Sequence, residues 1–408
     1  MHISFAGPIS TADISHLLGV SAAELPAGYI GAPFLGSLIE ETLKQGHTVS
    51  AVTTDSTLQL SPTAIRRYAN GAFQLSICPA RPHAWRFNGR RLGRILDMFS
   101  FERSLIAIEL RRFGADVIHA HWAYEFALAA LATPIPTLLT LHDAPWVVLK
   151  HTRSLYRTIR IFMARKAMRE SKFLTAPSDY LAQFLQPSCP AAIHVVPNPI
   201  ADYVLQSGSA RQAPSTRRIA MICNGWDSRK NPKKGIAAFA RYRLINESAE
   251  LHLYGQGLGA GQQGEAWASS HGYMAGCIFH GPTPHRTLIK ELASKDLLLH
   301  PSLEESFGVV IAEAMALGIP VVAGKFSGAV PWVVGYDDSS ENECSAVLTD
   351  VTSSLLLADA IKKAFDSNYS NRSKLGIERS QELFTSKAIV EKYILLYSNV
   401  LRECVHAC

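Results

Sequence analysis

At 408 residues the chain is too long for one ordinary hydrophobic core, so two domains are expected. Hydrophobic content of 48% against 18% charged describes a globular protein, and the net charge of +6 suits an anionic substrate or surface without choosing between them. Seven scattered cysteines, odd in number and without a C-x-x-C pair, argue against a zinc site or a disulfide framework and fit a reducing compartment.

Met1 to Phe5 carries no basic start, and no small-residue cleavage site follows a long apolar stretch, so no signal peptide is expected. The most apolar long segment, Leu128 to Leu141, is broken by Pro134 and Pro136 and is too short to span a bilayer. A cytoplasmic protein is expected.

Ile3 to Ala6 reads as a first strand. Gly28-Tyr29-Ile30-Gly31 then precedes a helix from about Phe34 to Gln45, and Thr48 to Thr53 is the next strand. This is a Rossmann-like opening, in which Gly31 lets the backbone approach a ligand, or simply makes a tight turn. The full G-x-G-x-x-G fingerprint is absent, which leaves a nicotinamide cofactor little support. Asp116 to Trp122 is a strand delivering His121 to the sheet's C-terminal edge, and Thr137 to Asp143 delivers His142 in the same way. His119 is expected to point away.

Lys150 to Lys172 holds eight Lys/Arg against one Glu, interleaved with Leu155, Ile159, Phe162, Met163 and Met168. One long basic amphipathic helix is expected. A core-packed helix with a solvated basic face is the favoured form, and a helix lying on an anionic membrane the other. Phe173 to Ala176 and Ile193 to Val196 complete the first domain's strands, and residues 205–216, rich in Ser, Gln, Ala and Pro, read as a linker. The second domain opens with Ile219 to Cys223 and a glycine turn, Asn224 to Gly235, whose Arg229, Lys230 and Lys234 can hold a diphosphate ahead of a helix. Leu251 to Gly257 and Ile278 to Pro282 are further strand-turn units, residues 351–366 look helical, and Ser386 to Cys404 reads as a last helix.

Asp296 to Val334 organises the rest. Leu297-Leu298-Leu299 ends at His300-Pro301 as a buried parallel strand. A helix N-capped by Ser306 is expected next, stopped by Gly318-Ile319-Pro320, and Val321 to Ala323 makes the following strand. Glu305 falls on the loop and Glu313 inside the helix. The free N–H groups of Phe307, Gly308 and Val309 lie where open α/β sheets bind anions, and the turn Ser327 to Pro331 offers further donors.

Glu305…Glu313, set in HPSLEESFGVVIAEAMALGIPVVA and followed by G-x-x-P at Gly328 to Pro331, resembles the donor-site signature of retaining GT-B glycosyltransferases of family 4. The resemblance implies that Glu305 contacts hydroxyls of the transferred sugar and Glu313 the ribose of the nucleotide. It places His121 at the second histidine of an H-x-H element near the donor sugar, His142 in a T-x-H element, and Val196-Pro197-Asn198 at the domain crossing. The family's G-R-x-x-x-x-K-G departs here, because Trp226 follows Gly225 where arginine is usual. Charge on the diphosphate then falls to Arg229, Lys230 or Lys234, with Lys230 and Lys234 favoured.

The expected fold is accordingly α/β and GT-B, two Rossmann-like domains facing across a central cleft. Residues 1–204 form the acceptor-side domain and 205–385 the nucleotide-sugar donor domain, with 386–408 packing back on the first. His121, Glu305 and Lys234 are the expected catalytic residues. Gly31, Gly225, Arg229, Lys230, Phe307, Gly308, Val309 and Glu313 are expected to bind donor, and His142 stands beside them. No D-x-D occurs, so no metal or other cofactor is expected, and the lysines and helix N-terminus take the metal's electrostatic role. Expected partners are a nucleoside diphosphate sugar (UDP or GDP) and a saccharide or lipid-linked acceptor of bacterial polysaccharide or glycolipid synthesis, with peripheral membrane contact through 150–172 and no nucleic acid. A sugar-nucleotide epimerase of the same architecture and a non-catalytic sugar-nucleotide-binding scaffold are the alternatives.

Overall fold

The computed structural model describes residues 1–29, 31–152, 154–338 and 344–406, which divide into two compact units. The first comprises Met1–Pro199 and Ser386–Cys408, the second Ile200–Thr385. The boundary falls at Pro199/Ile200 rather than after residue 204: the Ile200 N–H donates to the Phe384 carbonyl at 2.8 Å, and Val204 joins the second unit's core.

The first unit carries strands β1 (His2–Ala6), β2 (Thr48–Asp55), β3 (Arg66–Asn70), β4 (Phe73–Pro79), β5 (Val117–His121), β6 (Thr137–Thr140), β7 (Phe173–Ala176) and β8 (Ile193–Val195). Their order is β3-β4-β2-β1-β5-β6-β7-β8, parallel except for the β3/β4 hairpin. Apolar runs such as Val49, Ala51 and Val52 are buried because helices cover both faces of a parallel sheet. Since β1 leads to β2 on one side and has β5 on the other, the connections diverge between β1 and β5, the point where such sheets open a crevice. The helix Ser386–His406 belongs to this unit and buries Ile389, Tyr393, Tyr397 and Val400 at helical spacing. Residues 407–408 lie outside the described ones.

Lys150 to Lys172 is not one helix. Pro145–Thr152 and Leu155–Glu170 are separate, with Ser154 extended between them, and Arg153 lies outside the described residues. Nor is the basic face uniformly solvated. Arg160 is buried, its guanidinium 3.7 Å from the Tyr124 ring centroid. Among the described residues no helix is long and apolar enough to cross a membrane.

The second unit carries β9 (Arg218–Ile222), β10 (Glu250–Tyr254), β11 (Cys277–Gly281), β12 (Leu297–His300), β13 (Val321–Gly324) and β14 (Ala346–Thr349). Their order, β11-β10-β9-β12-β13-β14, is parallel throughout and reverses between β9 and β12. The loops after these two strands, 223–231 and 301–308, therefore meet at one point on the C-terminal edge. Each unit is thus a Rossmann-like α/β domain.

Candidate active site

The β9 loop is shaped by its turn residues. Asn231 adopts a positive φ of 54°, and its side-chain amide donates to the carbonyls of Pro301 (3.1 Å) and Val351 (2.9 Å), tying this loop to the one after β12. Asp227 accepts the Lys230 backbone N–H at 2.9 Å, and Pro232 starts the helix Pro232–Arg243 at a position where its missing N–H is harmless. Gly225 stands in the turn itself. Gly235 lets the helix sit against the sheet, since a Cβ there would lie 2.5 Å from the Met221 sulfur. Lys230 thereby points across to β12, whereas Lys234 is exposed on the first turn of the helix.

Lys230 Nζ meets Glu305 Oε1 at 2.5 Å, and His300 Nε2, at the end of β12, reaches the same oxygen at 3.0 Å. A carboxylate only accepts, so His300 carries its proton on Nε2, leaving its buried Nδ1 without a partner. Burial alone would raise the Glu305 carboxyl, but Lys230, His300 and Arg229 outweigh it and hold the group well below the usual carboxylate range. It is therefore a fixed anion. Arg229 lies behind it, 3.4 Å from Glu304. Burial raises the Glu304 carboxyl, and its Oε1 lacks a partner.

Ser306 is not the helix cap. The helix runs Val309–Ala316 and its N-cap is Gly308 at φ +88°, because the chain must turn sharply between Phe307, buried in the core, and the first helical residue. Val309 and the backbone after Gly308 accordingly hold the helix N-terminal N–H groups at the strand edge. The Ser327–Pro331 turn pairs with the same loop: the Ala329 N–H donates to the Glu305 carbonyl at 2.9 Å, so that donor is occupied. Glu313, buried in the helix, accepts from His285 Nε2 at 2.6 Å, and His285 Nδ1 is 2.6 Å from the Tyr203 hydroxyl. Neither His285 nor Tyr203 was expected from sequence. The only hint was a histidine following Pro284 at a strand-turn-helix junction, which has no periodicity to expose it.

In the first unit, His121 and His142 do face one place: His121 Nδ1 and His142 Nε2 are 2.9 Å apart. His119 does not point away, because residues two apart on a strand share a face. Its ring lies 4.0 Å from that of His121, and it is held by the Tyr397 hydroxyl at 2.7 Å and the Thr140 hydroxyl at 2.6 Å. Burial drives all three rings toward the neutral form, His142 down to about 3. His121 Nε2 is buried without a partner, an orphaned polar atom at the crevice edge of β5. Gly7 allows this crowding, since a Cβ there would come within 3.3 Å of the His121 Cβ. Gly31 stands apart on the loop after β1, where an added Cβ would meet nothing within 4 Å.

Residues 209–381 match the family described as glycosyl transferases group 1, and residues 34–202 the one described as glycosyltransferase family 4. N-acetyl-alpha-D-glucosaminyl L-malate synthase of Bacillus anthracis is 27% identical over 319 residues, 74% of this chain and 79% of that protein. Sucrose-phosphate synthase from Thermosynechococcus elongatus superposes over 100% of both chains with a TM-score of 0.74 at 18% identity. An Anabaena protein solved with UDP and glucose superposes over 98% of this chain and 100% of that one, with a TM-score of 0.63 at 16% identity.

Proposed function

The chain belongs to the group 1/family 4 glycosyltransferases of GT-B fold, and from that premise we propose that it transfers a sugar from a nucleoside diphosphate sugar to a saccharide or lipid-linked acceptor with retention at the anomeric carbon. The carrying observation is the Lys230–Glu305–His300 cluster at the β9/β12 switch point, an ionised carboxylate and an ammonium held together at the anion-binding edge of the sheet. The Anabaena structure with UDP and glucose supports a nucleoside diphosphate hexose as donor.

In this reading the diphosphate takes a share of Lys230, which stays within reach of Glu305, so the leaving group's charge is met by a side chain that needs no reorganisation. Lys234 and Arg229 add positive potential, and the Gly225 turn and the N–H groups of Phe307, Gly308 and Val309 receive phosphate and sugar oxygens. Glu305 accepts from sugar hydroxyls through its second oxygen, and Glu313 from the ribose hydroxyls. His121, kept neutral, offers Nε2 to the reacting sugar with His142 fixing the ring, and Gly31 leaves the backbone after β1 open to the ligand. No metal is assigned, because the lysines and helix N-terminus supply the charge.

A thermal-shift screen of UDP, GDP, ADP and their sugar conjugates, with chelator and then with magnesium, identifies the donor. Product from the stabilising donor and an acceptor extract, with its anomeric configuration read by NMR, completes the test. Inversion, or a strict magnesium requirement, would remove the corresponding part of the proposal. Altered sugar in donor incubated alone would make the protein an epimerase, and binding without turnover a scaffold.

A further inference from the structure

Between β4 and the helix Ser100–Phe113 the first unit carries residues 80–99, a segment with five arginines and a single acid. It has no regular helix or strand, yet it is a built structure. The Arg94 and Ile95 N–H groups donate to the His83 and Ala84 carbonyls at 3.2 Å each, and Asn88 and Arg91 exchange backbone bonds of 2.8 and 3.1 Å. Asn88 is buried at the tip, where its side chain accepts from the His83 N–H at 2.9 Å and donates to the His83, Arg86 and Leu92 carbonyls. A Cβ on Gly93 would lie 2.3 Å from the Ala84 carbonyl oxygen, so the two arms are in close backbone contact.

This hydrogen-bonded hairpin turns apolar residues outward. Trp85, Phe87, Leu92, Leu96 and Met98 are exposed, from 42% at Trp85 to 69% at Phe87. Five large apolar side chains displayed on one ordered hairpin are more than the scattered exposure usual on a soluble surface. Met98 and Phe99 both have positive φ (50° and 60°), a strained backbone of the kind retained where the displayed shape matters.

The charge is sorted as well. Asp97, the one acid, is turned onto buried Arg81, which it meets through two bonds of 2.8 Å, and Arg81 also binds Glu102. The side chains left facing solvent with charge are Arg86, Arg90 and Arg91. Exposed aromatic and aliphatic residues interspersed with arginine, with the sole carboxylate withdrawn, are the composition that suits an anionic bilayer surface, whose boundary takes apolar rings and whose phosphates take guanidinium groups.

We propose that the hairpin 85–98 docks the first unit onto an anionic lipid bilayer. It starts directly after β4, at the same C-terminal sheet edge as His121, so docking would present that edge to acceptors carried by the lipid surface. Only that acceptor clause rests on the transferase reading; the docking itself needs no nucleotide, and so the two fail separately.

The experiment is co-sedimentation of the full chain with vesicles of phosphatidylcholine alone or mixed with phosphatidylglycerol, in low and high salt. Wild type is expected to pellet with the anionic vesicles only and to be released by salt. Arg86→Gln/Arg90→Gln/Arg91→Gln should weaken binding on the order of a hundredfold if the arginines act independently, and Trp85→Ser/Phe87→Ser should abolish pelleting. Quenching of Trp85 by brominated lipid, taken as wild type minus Trp85→Phe, reports insertion even where a multiple variant misfolds. Absence of wild-type binding overturns the proposal. So does loss of binding only in Arg165→Gln/Lys166→Gln/Arg169→Gln, which would move docking to the helix Leu155–Glu170, and so does sedimentation equilibrium showing a dimer that Phe87→Ser dissociates.

Discussion

His285 Nε2 donates to Glu313 Oε1 at 2.6 Å, and the same ring accepts the Tyr203 hydroxyl on Nδ1, also at 2.6 Å. The carboxylate fixes the tautomer, because it has no proton to give, and a neutral ring then has a lone pair for tyrosine. One oxygen of Glu313 is thereby committed.

If Glu313 binds ribose, this chain of bonds sets its aim. Glu313→Ala should then weaken free UDP or GDP as well as the sugar conjugate, and His285→Ala should raise the nucleotide Kd about tenfold, the usual loss of a bond to a charged group. His285→Gln, which retains an N–H donor, should recover most of it. Calorimetric titration with nucleotide alone decides: a Glu313 effect without a His285 effect removes the positioning role, and no Glu313 effect removes the ribose assignment.

Glu305 is buried and Lys230 half-buried against it, so deleting either leaves a charge without its partner. Lys230→Ala should destabilise the second unit by about 3 kcal/mol and slow turnover about a hundredfold. Lys230→Met/Glu305→Gln, which removes both charges and keeps an acceptor for His300, should recover stability but not turnover. Denaturant melts beside rate assays separate the two effects; additive losses in the double variant would mean the groups act independently.

Much of this was legible because parallel strands covered on both faces read as short apolar runs, such as Leu297-Leu298-Leu299, and their ends locate the sheet edge. Glu305 lies on the loop beyond that strand end, ahead of the helix Val309–Ala316. What was not legible depended on contacts far apart in sequence or on unusual backbone. Tyr203 and Glu313 meet through His285 across 82 and 28 positions. Ser306 satisfied a capping preference, but the turn demanded a positive φ and Gly308 took the place. The basic stretch 150–172 kept a helical pattern on both sides of a break no glycine or proline announces. The hairpin 80–99, lacking periodicity, gave no sign that its apolar residues face outward.

Gly308 can be tested directly. At φ +88° an alanine is strained, and its Cβ would stand 3.0 Å from Ile311 Cδ1. Gly308→Ala should cost about 1–2 kcal/mol in unit stability and shift the N–H groups that face the anion site, weakening nucleotide binding in addition. A variant with reduced stability and an unchanged nucleotide Kd would show that these N–H groups do not hold the diphosphate.

The histidine cluster makes the first unit acid-sensitive over a defined window. His119, His121 and His142 are buried and neutral when folded, with His142 lowered to about 3, whereas an unfolded histidine titrates near 6.5. Below about pH 6.5 the unfolded chain binds more protons than the folded one, so the stability is full above that value and falls as pH drops toward the folded value. A single such histidine contributes a slope of about 1.4 kcal/mol per pH unit. Glu305, whose carboxyl is also depressed, has the same sign but acts only below the ordinary carboxylate range near 4.3, whereas Glu304, raised by burial, acts above it with the opposite sign; both belong to the second unit, which leaves about pH 6.5 to 4.5 in the first unit to its histidines. His2 and His47 in the first unit and His252 and His280 in the second are lowered too, so the slope must be assigned by substitution. His142→Gln, which keeps a donor for His121 and does not titrate, should flatten the decline of the first unit's Tm over this window. Calorimetric scans at several pH values measure it, and a wild-type Tm that stays level down to about pH 5 would mean that water reaches the rings and the cluster is not held neutral.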